Sequence, residues 1–247
     1  MRYRTVIFDL FDTLVDFVRD RLPIIYVDGK AIPSTTAVVY PLFVERYNHI
    51  SLETFYQAFR DSFDEAARLR EIEEREVSAH ERFTLFFHKL QIPVTSDIEP
   101  FLSSLLDAHM ACIAEAVHAP PEHVELLEWL RPRYQLALIS NFDHGPTARQ
   151  ILDRTGMTSF FDLILISDEL GQRKPHAAIF ETACQALRIR PHEAIFIGDS
   201  PGIDVAGAKA VGMAVIWLNR RGEGLDESIP PPDHTVTRLQ EIRTILG

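Results

Sequence analysis

Cysteine is scarce in this 247-residue chain, which carries only Cys112 and Cys184. Two buried thiols are the expected reading of so small a number, in preference to a disulfide or a metal pair. Positive charge is short as well: 25 Lys and Arg stand against 36 Asp and Glu, a formal net charge of −11. That balance excludes a general nucleic-acid binder, which must neutralise phosphates with cationic side chains. It leaves room for a small anionic substrate held in a local cationic pocket. Long apolar runs are missing too. No stretch approaches a membrane span, and the run after Met-Arg-Tyr-Arg is too short for a signal segment, so no membrane partner and a cytoplasmic location are expected. Internal repeats and low-complexity tracts are absent, and Pro230-Pro-Pro232 reads as a surface turn.

What is present is an ordinary globular composition, 46% hydrophobic and 25% charged. The length exceeds that of a usual single domain and favours one large domain or one carrying an insertion. From about Leu130 onward, continuous apolar strands alternate with helical segments. The strands are expected at 134–139, 162–166, 194–197 and 213–217, and the helices near 146–153, 176–187 and 203–211. This alternation predicts an α/β fold with a doubly wound parallel sheet. The segment 4–8 has the same buried-strand character but lies more than a hundred residues upstream. Between them the pattern turns helical, over 40–48, 52–70, 77–90 and 98–117, preceded by a hairpin-like piece with Asp28-Gly29 at its turn. The expected organisation is therefore a core of residues 1–15 and 119–247 with a mostly helical cap, 16–118, inserted after the first strand. Within that cap, Phe55, Phe59, Phe63, Phe83, Phe86 and Phe87 read as its core, and Arg19, Arg75, Arg82 and His88 as solvated helix faces.

Chemistry-bearing residues recur at the ends of the expected core strands. Asp9 and Asp12 follow the first, where open α/β sheets build ligand crevices. Ser140 and Asn141 follow 134–139, Lys174-Pro175 precedes a helix, and Gly198-Asp199 with Asp204 follows 194–197. Taken alone, the acids read as turn or cap residues, Ser140-Asn141 as a helix N-cap and Lys174 as a solvated lysine. Jointly they supply what phosphoryl transfer needs. Asp9 is the candidate nucleophile, and Asp12 the candidate acid that protonates the leaving alkoxide and then the base that activates water. The Ser140 hydroxyl and the Asn141 N–H suit a phosphoryl oxygen, while Lys174 can neutralise charge and keep the nucleophile ionised. Asp199 fits a direct Mg²⁺ ligand, and Asp204 a ligand or a partner behind it.

With these motifs the chain resembles the haloacid dehalogenase superfamily, through Asp9-Leu-Phe-Asp12-Thr13, Ser140, Lys174-Pro175 and Gly198-Asp199 with Asp204. The resemblance implies a Mg²⁺-dependent phosphatase that passes through a phosphorylated Asp9, with Thr13, Ser140, Asn141 and Lys174 around the phosphate. It also implies that the main-chain carbonyl of Asp12 joins Asp9 and Asp199 on the ion. Small departures, Arg173 before the Lys-Pro pair and His176 after it, fall outside the core positions. The expected partner is a small phosphorylated metabolite, with the chain a monomer or homodimer. Alternatives are a phosphomutase sharing every catalytic group, a dehalogenase, and a silent binding module. Dehalogenases typically lack an acid at the position of Asp12, and a silent module would lack a motif residue.

Overall fold

The computed structural model describes residues 3–247; Met1 and Arg2, at the start of the expected core, lie outside the described residues. In chain order the principal strands are β1 (Thr5–Phe8), β2 (Ile24–Val27), β3 (Lys30–Pro33), β4 (Gln135–Ser140), β5 (Leu163–Ile166), β6 (Ala194–Gly198), β7 (Ala214–Leu218) and β8 (His234–Val236). The principal helices are α1 (Thr36–Val44), α2 (Leu52–Glu73), α3 (Ala79–Lys89), α4 (Glu99–Glu115), α5 (Pro121–Leu130), α6 (Gly145–Arg154), α7 (Ala177–Leu187), α8 (Ala206–Ala210) and α9 (Ile242–Leu246). The chain divides into two compact units, Met1–Phe17 with His118–Gly247, and Val18–Val117.

The first unit is built on a six-stranded parallel sheet in the order β8-β7-β6-β1-β4-β5. Its central strands are apolar over most of their length, as strands covered on both faces are, and β1 is buried at every position. β1 lies between β4 and β6, so the chain winds away from it in both directions. A crevice is expected at the carboxyl ends of the strands beside such a reversal. One face of the sheet packs Ile7, Ile139, Phe196 and Val215 against Ile179, Phe180 and Ala183 of α7. The predicted α/β class and all five predicted core strands are present. Three elements escaped the sequence: the sixth strand β8, only three residues long, the short helix α9, and α5, which begins at Pro121. Ahead of α8, Pro201–Val205 forms a wide helical turn rather than ordinary α-helix.

The second unit holds the β2–β3 hairpin and helices α1 to α4. Ser51 and Ser78 start α2 and α3 by accepting bonds from the backbone N–H groups of Thr54 (3.2 Å) and Glu81 (3.1 Å). α1 begins four residues before its expected start at Tyr40, because Ser34 Oγ accepts from the Thr36 N–H at 3.1 Å and sets the first turn. The core is aromatic: Phe43, Phe55, Phe83, Phe86 and Phe87 are fully buried, and Phe55 meets Phe86 edge-to-face with ring centroids 4.8 Å apart. Phe63 is an exception to the expected core, remaining 39% exposed. Arg82 departs in the opposite sense. Expected on a solvated face, it is 1% exposed, with its guanidinium 3.9 Å from the Phe63 ring centroid. Among the described residues, no helix is long and apolar enough to cross a membrane.

Candidate active site

Asp9 stands one residue beyond β1, where its N–H donates to the Ile197 carbonyl of β6 at 2.9 Å. The last ladder bond thereby fixes the backbone from which the side chain leaves the sheet. Lys174 reaches the same point from the segment after β5 and is 1% exposed. Its Nζ donates to Asp9 Oδ1 at 2.6 Å and to Asp204 Oδ1 at 2.7 Å, so residues 165 and 30 positions away in sequence share one ammonium. Burial alone would depress the lysine, but the carboxylates of Asp204 and Asp9 outweigh it and hold the ammonium above its ordinary range. Burial pushes the Asp9 carboxyl up to about 6, with Lys174 opposing the rise and Asp204 adding to it. Asp199 is pushed up to about 7, first by burial and then by the charges of Asp9, Asp204 and Asp12.

Asp204 has both carboxylate oxygens engaged, since Oδ2 accepts from the Ser200 N–H at 3.0 Å. This approach requires glycine at 198, where a Cβ would come within 2.4 Å of Asp204 Oδ2. Asp199 is steadied from β7, whose Trp217 Nε1 donates to the Asp199 carbonyl at 2.9 Å. Asp9, Asp199 and Asp204 each bring a carboxylate oxygen within 4.8 Å of the others. Three acids around one lysine leave excess negative charge in a mostly buried site, and the donors are all hard oxygens. That set suits a hard divalent cation such as Mg²⁺. With Asp204 occupied by Lys174 and Ser200, Asp9 and Asp199 carry the oxygens best disposed to hold it.

The remaining candidates take distinct places. Asp12, itself exposed, lies on the turn after Asp9 in left-handed conformation at φ 58°, with Oδ1 accepting from the Phe17 N–H at 3.3 Å. It lines a cleft of about 400 Å³ together with Asp199, Trp217 and Arg220. The hydroxyls of Thr13 and Ser140 are buried without a hydrogen-bond partner among the described residues. Unpaired buried hydroxyls are costly, and a ligand's oxygens would satisfy both. The Asn141 side chain does something the sequence did not suggest. Its Nδ2 donates to the Lys174 carbonyl at 2.8 Å and its Oδ1 accepts from the Lys174 N–H at 2.9 Å, clamping the lysine's backbone ahead of a cis bond to Pro175. Two more positions went unread. Gly207 lets α8 approach Pro175, whose Cα would lie 2.9 Å from a Cβ there, and Arg220 contacts the turn carrying Asp12. Neither leaves a local sequence signal, because the partners are more than thirty residues away.

Residues 3–212 match the family model described as haloacid dehalogenase-like hydrolase. The chain is 31% identical over 205 residues to ribulose-1,5-bisphosphate 5-phosphatase of Halopiger xanaduensis, a match covering 81% of this chain and 80% of that protein. It is 32% identical over 170 residues to a pyrimidine 5'-nucleotidase of Escherichia coli, covering 68% and 70% respectively. Among solved structures, a 2-haloacid dehalogenase from Pseudomonas syringae superposes with a TM-score of 0.76 at 23% identity over 99% of this chain and 98% of that one. At that identity the likeness speaks to the fold alone.

Proposed function

The chain belongs to the haloacid dehalogenase-like hydrolases, and we propose that within them it is a Mg²⁺-dependent phosphatase acting on a small phosphorylated metabolite. The observation that carries this reading is the gathering of Asp9, Asp199 and Asp204 within 4.8 Å. Dehalogenation has no need of a cation or of an acid at position 12, whereas phosphate ester hydrolysis uses both. The relatives' names, a bisphosphate phosphatase of a sugar and a nucleotidase, support phosphorylated sugars or nucleotides as the substrate class.

On this reading Asp9, Asp199 and the Asp12 carbonyl would hold the ion, with Asp204 behind them aiming Lys174. When bound, the ion would offset the charge of these acids and of the phosphate as a Lewis acid. Asp9 attacks phosphorus, and a bond from its carboxylate oxygen forms as the bond to the ester oxygen breaks. Asp12 gives its proton to the departing alkoxide. It then takes a proton from water, whose oxygen bonds to phosphorus while the bond to Asp9 breaks and inorganic phosphate leaves. Lys174, hydrogen-bonded at 2.6 Å, favours the ionised form of Asp9 that this attack requires. The Thr13 and Ser140 hydroxyls and the Asn141 N–H donate to the phosphoryl oxygens. The helical unit is assigned the role of a cap that selects among organic groups.

Chelation tests the reading. EDTA should abolish hydrolysis of phosphate monoesters by the purified enzyme, and added Mg²⁺ should restore it. Turnover indifferent to EDTA, or release of halide from 2-haloacids in its place, would reject the assignment.

A further inference from the structure

Asp12 is itself exposed and left-handed, on a turn whose Leu10, Thr13, Leu14 and Val15 are buried, which makes it an unusual platform for a proton donor that must be aimed. Asp tolerates φ 58° better than most residues, but the conformation has to be held by its surroundings. Part of the hold is internal. The Leu14 and Val15 N–H groups donate to the Leu10 carbonyl at 2.9 and 3.0 Å, and the Asp12 N–H donates to the Val15 carbonyl at 2.6 Å. Two further carbonyls of the turn are held from outside. His123 of α5 engages the Leu14 carbonyl through Nδ1 at 2.8 Å. Arg220, two residues past β7, donates from Nη2 to the Thr13 carbonyl at 3.1 Å and from Nη1 to Asp16 Oδ1 at 2.5 Å.

The geometry points to Arg220 as a positioning residue for the acid/base: its guanidinium clasps the turn at Thr13 and Asp16 and so fixes the direction of the Asp12 carboxyl between them. The inference rests on the phosphatase reading above. Arg220 has the placement of a substrate ligand, since it lines the same cleft as Asp12 and Asp199 and its side chain is 35% exposed. Its bonding argues otherwise. Both terminal nitrogens are directed at the turn, and the planar fork that would grip an anion is already fitted to a carbonyl and a carboxylate. The same clasp seats Thr13, whose buried hydroxyl has no hydrogen-bond partner among the described residues, so one contact orders two groups at the site.

The test compares the unaltered enzyme with Arg220→Met, Arg220→Lys and Asp16→Asn on an alkyl and an aryl phosphate, with Mg²⁺ present. A misaimed acid hurts the alkyl ester, whose leaving group needs the proton, more than the aryl ester, whose leaving group does not. Arg220→Met should lower kcat about tenfold or more on the alkyl ester and far less on the aryl ester, with KM little changed, while Asp12→Asn shows the same bias in larger measure. Arg220→Lys should recover part of the loss. The double variant Arg220→Met, Asp16→Asn should be no worse than the poorer single one, because the two act as a unit. Amide hydrogen exchange over residues 10–17 should quicken in Arg220→Met. Equal kcat losses on both esters, a rise in KM alone, or unchanged exchange over the turn would each overturn the inference. Should the unaltered enzyme hydrolyse neither ester, the phosphatase reading falls instead, and the exchange measurement then decides whether Arg220 holds the turn.

Discussion

Two cations, one in each unit, are buried to the same degree, Lys174 and Arg82 both at 1% exposure, and they are kept there by different means. Lys174 in the sheet unit is held by the carboxylates of Asp9, next to the end of β1, and Asp204, in the helical turn after β6, at 2.6 and 2.7 Å. Arg82 in the helical unit lies against aromatic faces, 3.9 Å from the Phe63 centroid and 5.3 Å from that of Phe83, with Nη2 3.2 Å from His109 Nε2. His109 in turn meets Thr35 Oγ1 through Nδ1 at 2.8 Å. The first environment gathers acids in one place, where burial first and then their mutual repulsion push the Asp9 carboxyl up to about 6 and that of Asp199 up to about 7. The second stacks a weakly hydrated, planar cation into a packed aromatic core. Burial of a charge therefore does not mark a site by itself; the chemistry of what surrounds it does.

The largest effect that can test this contrast lies at Asp9. Asp9→Asn keeps the side chain's shape and removes both the nucleophile and one of the acids around Lys174. Turnover should fall by roughly four orders of magnitude or more, as when other enzymes lose their nucleophile, while circular dichroism stays that of the parent. Substantial residual activity would reject Asp9 as nucleophile and leave the Lys174 cluster with no more claim to function than Arg82.

A smaller effect probes the precision of the cluster. Gly198→Ala places a Cβ 2.4 Å from Asp204 Oδ2 and 2.5 Å from its Cγ, so Asp204 must swing away from Lys174 and the Ser200 N–H. We expect about 1–3 kcal/mol of lost stability from the overpacking and about a tenfold or greater drop in kcat as Lys174 loses one anchor. Gly202→Ala is the matched control, since nothing lies within 4 Å of a Cβ there and both quantities should stay near the parent's. Equal behaviour of the two variants in denaturant melts and steady-state assays would show that the approach of Asp204 is not critical.

Legibility from sequence follows the same divide between local and distant causes. The core strands could be read because a strand covered on both faces is apolar throughout, and Asp9, Ser140 and Asp199 could be placed because they sit at or next to the ends of such runs. β8 could not, since three residues of mixed burial, His234–Val236, carry no pattern. Asn141 was read through its backbone N–H, whereas its side chain clamps Lys174, a contact spanning 33 positions that no local pattern encodes. Arg220 is hidden for the same reason, 207 positions from Thr13. Arg82 is different, because its burial was legible in principle. The buried positions of α3 are Ala79, Arg82, Phe83, Phe86 and Phe87, the spacing i, i+3, i+4, i+7, i+8 of a helix's inner stripe, and Arg82 occupies one place in it. Charge type overrode period in the reading, and the period was the better guide.

Arg82 also supplies the smallest expected effect, and the one that could break the comparison outright. Arg82→Met keeps an unbranched, flexible chain in the same space and removes the guanidinium from the rings of Phe63, Phe83 and Phe59. The cation–π attraction and the contact with His109 Nε2 are lost, while the desolvation cost of burying a guanidinium is relieved. The opposing terms leave a net loss of about 1–2 kcal/mol in urea unfolding. Turnover of an aryl phosphate should stay within about threefold of the parent, the spread expected when a core substitution leaves the reacting groups in place. A collapse of kcat with unfolding unchanged would mean that Arg82 serves the reaction after all, and the aromatic surroundings would then have to be reinterpreted as the wall of a site. Retained turnover with a measurable loss of stability would instead confine the chemistry to the acids around Lys174.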